Sequence, residues 1–493
     1  MARRVINKVL VANRGEIALR VIRACRARGL ATVAVYSDAD RAALHVRAAD
    51  EAYRLGGSPA AESYLHIDAI LQAARHAQAD AIHPGYGFLA ENAAFAAGCA
   101  REGRVFIGPQ EKTLALCGDK SATRRAVHAA GVPVIAGTDV VDDGAAETAA
   151  VRLGFPVVIK AAAGGGGKGI HLVGRREDLP QALRLARGEA RTAFGDDRVY
   201  LERWIETPRH VEFQIVADAH GGVIHLGDRE CSIQRRHQKL IEEAPAPALT
   251  AALRDAMGQA AIQAARAVEY RNAGTVEFLV SNRKFYFLEI NARLQVEHPV
   301  TELVTGVDLV GLQLAIAAGE RLPLRQEDVR VMGHAIECRV SAEDPEADFL
   351  PWAGRVGDVI QPGGPGVRVD SALAPGMDVT RFYDPLLAKV SAWGPTRMEA
   401  IARMCTALQD MVVTGLPTTI PFHLWALRHP AVRSGTYGTR FVETEWPLRV
   451  RPHAALAALA AAVLAYREDQ GTPLLPPQDA GSWASAARRE ALE

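Results

Sequence analysis

Short apolar runs alternate with stretches of helical periodicity through the first part of the chain. Val9-Leu10-Val11-Ala12 is a continuous apolar run and reads as a strand. From Gly15 to Arg28 the residues Ile17, Val21, Ile22 and Cys25 fall at helical spacing, and Gly29 stands where the helix should stop. Thr32 to Tyr36 and Ala81-Ile82-His83 predict further strands. Strands alternating with helices predict a parallel sheet wrapped by helices, a Rossmann-like N-terminal domain over residues 1–114. A helical connector around Leu114 to Ala130 is expected next, spanning 115–132 and closed by Gly131-Val132-Pro133. A smaller unit over 133–204 centres on strands at Pro156–Lys160 and Ile170–Val173, separated by a glycine run. From 205 to 447 the pattern is mixed α/β with many strands. Residues 448–493 change character: an Ala/Leu-rich helix from His453 to Tyr466 precedes the Pro-containing stretch Gly471–Pro477, which reads as an appended helical tail.

A chain of 493 residues exceeds what one compact core organises, in keeping with several domains. Lysine plus arginine number 57 and aspartate plus glutamate 57, a formal net charge of zero. That balance argues against a nucleic-acid partner, which calls for a basic face. The six cysteines form no Cys-x-x-Cys pair, so neither zinc nor a disulfide framework is expected, and reduced packed thiols are. The first strand begins within a few residues of Met1, leaving no room for a signal peptide. No run approaches the ~18 apolar residues of a membrane span. The expectation is a cytoplasmic protein without a membrane partner.

Four segments carry candidate chemistry. Gly164–Gly167 lie between two apolar strands, where successive glycines turn backbone N–H groups toward an anion and allow close approach. The Walker pattern fails, because Ala162 and Gly169 stand where Gly and Ser or Thr are required, so a mobile phosphate lid is expected instead of a P-loop. Next, Val276-Glu277-Phe278-Leu279-Val280 reverses near Asn282-Arg283-Lys284 into Phe285–Asn291. Glu289 and Asn291 share a face by alternation, and pairing Phe278 with Leu288 puts Glu277 opposite Glu289. Two facing carboxylates and an amide on an apolar hairpin invite a hard cation such as magnesium. Directly after, Arg293, Gln295 and Glu297 alternate before His298-Pro299 and present a polar edge, with a guanidinium suited to a planar anion and a carboxylate suited to act as base. His298 is read as structural. Finally, Arg229 to Lys239 is a basic run; such runs are usually solvated faces, but in a chain of zero net charge one this near the acidic hairpin in sequence also points to a site, and Cys231 within it reads as packed and not nucleophilic.

Together these segments resemble the biotin carboxylase family of ATP-grasp enzymes, from about Val5 to Glu445. The resemblance is carried by Val11–Arg20, His83–Asn92, Gly118-Asp119-Lys120, Gln234–Lys239 and Glu289–Pro299. It implies an α/β fold with a Rossmann-like N-terminal domain, an ATP-grasp domain with a mobile glycine-rich lid and a mixed α/β C-terminal biotin carboxylase domain. Residue by residue it implies that Lys120 and Lys160 contact ATP phosphates beneath Gly164, Gly165, Gly166 and Gly167. Glu202, with the backbone of Arg203 and Ile205, holds adenine, and His210, Gln234 and His237 line the ribose and phosphate side. Glu277 and Glu289, with Asn291, match the site for magnesium (or manganese). Arg293, Gln295 and the Val296 backbone match a bicarbonate pocket, with Glu297 as base, Lys239 steadying carboxyphosphate and Arg339 stabilising the biotin enolate. Ala163 and Lys168 depart from the family pattern, in the lid and at no catalytic group.

The implied activity is ATP-dependent carboxylation of biotin through carboxyphosphate. No Met-Lys-Met occurs, so the expected substrate is biotin on a separate biotin carboxyl carrier protein. The expected partners are that carrier and a separate carboxyltransferase subunit, in a homodimer or larger carboxylase complex. Another ATP-grasp ligase using an acyl-phosphate would keep Lys120, Lys160, Glu277 and Glu289 but not Arg293–Glu297 with Arg339. A scaffold paralogue without catalysis would have an erased base or metal ligand.

Overall fold

A run of apolar side chains on both faces of a strand demands cover on both sides, and the first sheet is built that way. Its strands are β1 (Lys8–Val11), β2 (Ala31–Ser37), β3 (Glu51–Gly56), β4 (Ala81–His83) and β5 (Val105–Phe106), all parallel, in the order β3-β2-β1-β4-β5. Helix α1 (Gly15–Ala27) lays Ile17, Val21, Ile22 and Cys25 on one face, while Ile70, Phe95 and Cys99 help fill the other. The helix ends where Gly29 takes φ +70° and the Leu30 N–H returns to the Cys25 carbonyl at 3.0 Å. Strand order reverses between β1 and β4, and the segments that follow those two strands open onto the cleft described below, as expected of an open parallel sheet. The protein is described here by a computed structural model covering residues 4–140, 142–162 and 170–447.

The helical connector consists of two helices, α2 (Glu111–Gly118) and α3 (Lys120–Ala129). Asp119 between them is extended, and its carboxylate accepts the Ala122 N–H at 2.8 Å. Aspartate is a better cap than an interior helix residue, so the chain restarts there and Lys120 becomes the first residue of α3. A second, antiparallel sheet joins β6 (Gly137–Val140), β7 (Val157–Ala161), β8 (Ile170–Val173) and β9 (Val199–Arg203) in the order β6-β9-β7-β8. Its strands on either side of the glycine run agree with the sequence pattern, whereas Gly164–Gly167 lie outside the described residues, as do Ala163, Lys168 and the tail 448–493.

The third sheet has eight antiparallel strands: β10 (Arg209–Ala217), β11 (Val223–Arg235), β12 (Gln238–Ala244), β13 (Asn272–Ser281), β14 (Lys284–Asn291), β15 (His334–Ser341), β16 (Val367–Ser371) and β17 (Leu386–Gly394). They run in the order β14-β13-β10-β11-β12-β15-β17-β16. Glu277 does stand opposite Glu289, but by a different route from the one expected. The turn is the two residues Asn282 and Arg283, both with positive φ, and Phe278 pairs with Phe287 instead of Leu288. A two-residue turn of this kind matches strand twist but shortens the loop by one residue. A bulge at Leu288 absorbs the difference and restores the carboxylate pair.

Of the two readings of the basic run, the structure favours a site over a solvated face. Arg229 is wholly buried, its guanidinium donating to Glu212 (2.5 Å), Gln214 (2.7 Å), Thr275 (2.8 Å) and Thr301 (3.0 Å). A guanidinium's fixed fork can be satisfied only where several acceptors converge, and strands β10, β11 and β13 together with the helix that carries Thr301 bring them there. Cys231 is buried and its thiol is pushed well above the usual range by burial, consistent with a packed residue. Among the described residues no single helix is long and apolar enough to cross a membrane.

Candidate active site

All three sheets contribute to one cleft of about 1110 Å³. One part is apolar, with Ile135, Val158, Tyr200, Leu279 and Leu288 on its walls. Beside it Lys160 donates to Glu202 at 2.6 Å; the two residues come from neighbouring strands β7 and β9. Arg203 and Ile205 line the same part, and the Arg203 N–H is engaged by the Ala136 carbonyl at 2.9 Å. Lys120, at the start of α3, lies 2.8 Å from Glu289, across from the apolar wall. His210, Gln234 and His237 complete this side of the cleft.

The floor is a dense charge cluster. Lys239 reaches three carboxylates at once: Glu212 at 2.6 Å, Glu277 at 3.0 Å and Glu297 at 2.6 Å. Burial works to discharge Lys239, but the three anions win and hold it protonated, well above its ordinary range. Glu277 is also 3.1 Å from His210 and accepts from Asn291 at 2.8 Å. Against the upward push of burial, Lys239 and His210 keep its carboxyl well below the usual range. An oxygen-only set of two carboxylates and an amide, grouped on one hairpin, fits a hard divalent cation such as magnesium. Lys239 and Lys120 hold these anions in the same place.

Glu297 is fully buried at the start of α4 (His298–Thr305), and both its oxygens are engaged, one by Lys239 and the other by Arg339 at 2.9 Å. Burial raises its proton affinity, yet Lys239, Arg339 and Arg229 bring it below the ordinary range, so it is ionised at neutral pH. Arg339 also donates to Glu242 at 2.6 Å. Just before Glu297, Arg293 donates to Glu91 (2.8 Å), Gln295 (2.8 Å) and Asn291 (3.2 Å). The Gln295 amide nitrogen is buried without a hydrogen-bond partner, a donor left over in the wall of the cleft. The expected single polar edge is therefore split: Arg293, Gln295 and Val296 line the cleft, whereas Glu297 lies beneath its floor. The reason is the irregular backbone of 292–297, which does not keep strand alternation. His298 is structural, its ring donating to the Gln295 carbonyl at 2.8 Å.

Every expected site residue among the described ones thus comes to this cleft or directly under it. Several neighbours went unnoticed in sequence. Glu212 is two residues from His210 on β10, and the alternation of that strand was the available signal. Glu16, which lines the cleft, and Glu91, which holds Arg293, lie within the Val11–Arg20 and His83–Asn92 stretches, but nothing local marks either role. Lys389 and Glu242 carry no sequence signal at all.

Comparisons with known proteins agree along the whole of this region. Residues 5–114 match the family model for the biotin carboxylase N-terminal domain, 119–325 that for the carbamoyl-phosphate synthase L chain ATP-binding domain, and 337–444 that for the biotin carboxylase C-terminal domain. Biotin carboxylase of Nostoc sp. is 52% identical over 444 residues, covering 89% of this chain and 98% of its own. Biotin carboxylase 1 of Bacillus subtilis is 50% identical over 443 residues, covering 89% and 98%. Among solved structures, the biotin carboxylase domain dimer of Hydrogenobacter thermophilus 2-oxoglutarate carboxylase, in complex with MgADP, ADP and bicarbonate, superposes with a TM-score of 0.87. It is 46% identical and covers 89% of this chain and 98% of its own.

Proposed function

The chain belongs to the biotin carboxylase family, and from that premise we propose that it uses ATP and bicarbonate to carboxylate biotin, the first half-reaction of a biotin-dependent carboxylase. The observation that carries the chemistry is Glu297: a buried, ionised carboxylate held between Lys239 and Arg339 under a donor-rich wall.

In this reading the apolar part of the cleft takes adenine, with Glu202 and the backbone of Arg203 and Ile205 at its edge. Lys120 and Lys160 take the phosphates, His210, Gln234 and His237 flank them, and Gly164–Gly167 close over them as a lid. Glu277, Glu289 and Asn291 would hold magnesium or manganese, which supplies charge neutralisation to the phosphates. Arg293, Gln295 and the Val296 backbone bind bicarbonate, and the spare Gln295 N–H supports that assignment. Glu297 removes the bicarbonate proton. The freed oxygen attacks the γ-phosphorus in line, the bond to ADP breaks, and carboxyphosphate forms. Carboxyphosphate then splits to carbon dioxide and phosphate, and the phosphate takes the ureido proton of biotin. Arg339 stabilises the resulting enolate, and its nitrogen attacks carbon dioxide. Glu297 is a weak base while both cations engage it. An anion drawing on Lys239 and Arg339 weakens that hold and raises its proton affinity when the substrate arrives.

Biotin comes to the cleft on a carrier protein, and a carboxyltransferase takes the product; a homodimer is the proposed assembly. The test is ADP release by the purified protein with magnesium and ATP. Release should require bicarbonate, rise with free biotin and fall by about 10²- to 10⁴-fold in Glu297→Gln. Turnover indifferent to both bicarbonate and biotin would reject the reading.

A further inference from the structure

Lys389 lies on β17 with no solvent exposure, and no step above uses it. Its ammonium donates to the Val296 carbonyl at 2.8 Å and lies 3.2 Å from Glu16 and 3.8 Å from Asp370. These partners come from three separate places: the irregular segment before α4, the first turn of α1, and β16. Burying an ammonium is expensive, and an apolar side chain would fill the same space at lower cost. What the ammonium alone provides is a set of directed donors.

The acceptor explains where that direction is used. Segment 292–297 has no strand ladder, and side chains help to hold its backbone at either end. At its start the Glu91 carboxylate accepts the Ala292 N–H at 2.9 Å. At its end Lys389 holds the Val296 carbonyl. That carbonyl shares a planar peptide unit with the N–H of Glu297, so fixing one fixes the point from which the Glu297 side chain springs. Lys389 and Arg339 are register partners on adjacent strands and project from the same face of the sheet. One grips the carboxylate of Glu297 and the other the peptide bond before it. Glu16 in turn accepts from the Tyr86 hydroxyl, which ties Lys389 to the loop after β4.

We propose that Lys389 is a positioning residue for carboxylation: through the Val296 carbonyl it sets Glu297 between Lys239 and Arg339, and Glu16 holds Lys389 in place. This rests on the reading of Glu297 as the base. Lys389→Met, Lys389→Arg and the charge-balanced pair Glu16→Gln with Lys389→Met test it, each measured for kcat, for KM of bicarbonate and of MgATP, and for melting temperature. Misplacing a base by an ångström costs on the order of 10²-fold in rate, and that loss is expected in kcat for Lys389→Met, with a raised KM for bicarbonate and an unchanged KM for MgATP. Lys389→Arg should recover most of the rate. The double variant should regain stability but not rate. A Lys389→Met protein with wild-type kcat and bicarbonate KM would overturn the proposal, as would a rate that returns with stability in the double variant. Failure of every variant to fold would assign Lys389 to stability alone and overturn it too. Those results leave the wild-type activity standing; a wild type without bicarbonate-dependent ADP release would remove the functional reading and this inference together.

Discussion

Glu242, Glu243 and Glu297 are three buried carboxyls whose proton affinities diverge with their partners. Burial pushes Glu242 up to about 7, because Arg339 offsets only part of the desolvation and the Glu297 charge adds to it. Glu297 goes the other way, since three cations converge on it. Glu243, away from the cleft, is the plainest case. Burial raises it, but Arg397 (2.6 and 2.8 Å) and His334 (2.6 Å) more than reverse this and bring it to about 2. Its carboxylate is therefore ionised in both states above 4.5, the ordinary value, where its stabilisation is complete. As pH falls from there toward 2 the unfolded chain binds the proton first, and the contribution, roughly 3 kcal/mol, is lost. Melting temperatures measured from pH 5 downward should fall more steeply in the wild type than in Glu243→Gln, which begins lower and has less to lose.

At the scale of elements, the β13–β14 hairpin decides where the proposed metal donors stand. Its turn needs left-handed backbone at both Asn282 (φ +51°) and Arg283 (φ +61°). Asparagine tolerates that conformation and a β-branched residue does not. Asn282→Gly should leave stability nearly unchanged, whereas Asn282→Val should cost about 1–2 kcal/mol. Because the turn fixes the register that faces Glu277 with Glu289, Asn282→Val should also raise the KM for MgATP, although residue 282 lies at the far end of the hairpin from those carboxylates. An unchanged KM would mean that the bulge at Leu288 sets the register without the turn. Helices α2 and α3 show the same principle: one capping aspartate breaks the connector and places Lys120 at the cleft.

At the scale of the molecule, the cleft draws walls from three sheets, so a ligand filling it bridges them all. Lys239 and Lys120 neutralise the floor carboxylates, where the proposed nucleotide and cation would sit. A ligand at a hundred times its dissociation constant adds about 2.7 kcal/mol to stability. MgATP should therefore raise the melting temperature, and EDTA should remove most of the rise while ATP remains. A shift insensitive to chelation would place the nucleotide away from Glu277 and Glu289. Tyr383 supplies a further bridge, its hydroxyl 2.5 Å from both the Ser37 hydroxyl and the Ser58 carbonyl. Tyr383 stacks edge-on to Tyr64 and Phe88 beside Arg14, so the first sheet and the chain before β17 are joined at the rim of the cleft.

The sequence alone determined the alternation of strands and helices in the first sheet, the strands flanking the glycine run and the shared face of Glu289 and Asn291, whereas the bulge at Leu288 decided that Glu277 faces Glu289. The former follow from periodicities of two and 3.6 residues, which are local properties of the chain. The segments quoted from Val11 to Pro299 also carried the family, because each keeps its chemistry within a few consecutive residues. Tertiary structure alone decided the burial of Arg229, the sharing of Lys239 among three carboxylates, the grip of Arg339 on Glu242 and Glu297, and the reach of Lys389 to Val296. Each of those contacts joins strands, or loops and strands, distant in sequence, and a buried charge acquires its meaning only from the partners that the sheet order brings beside it.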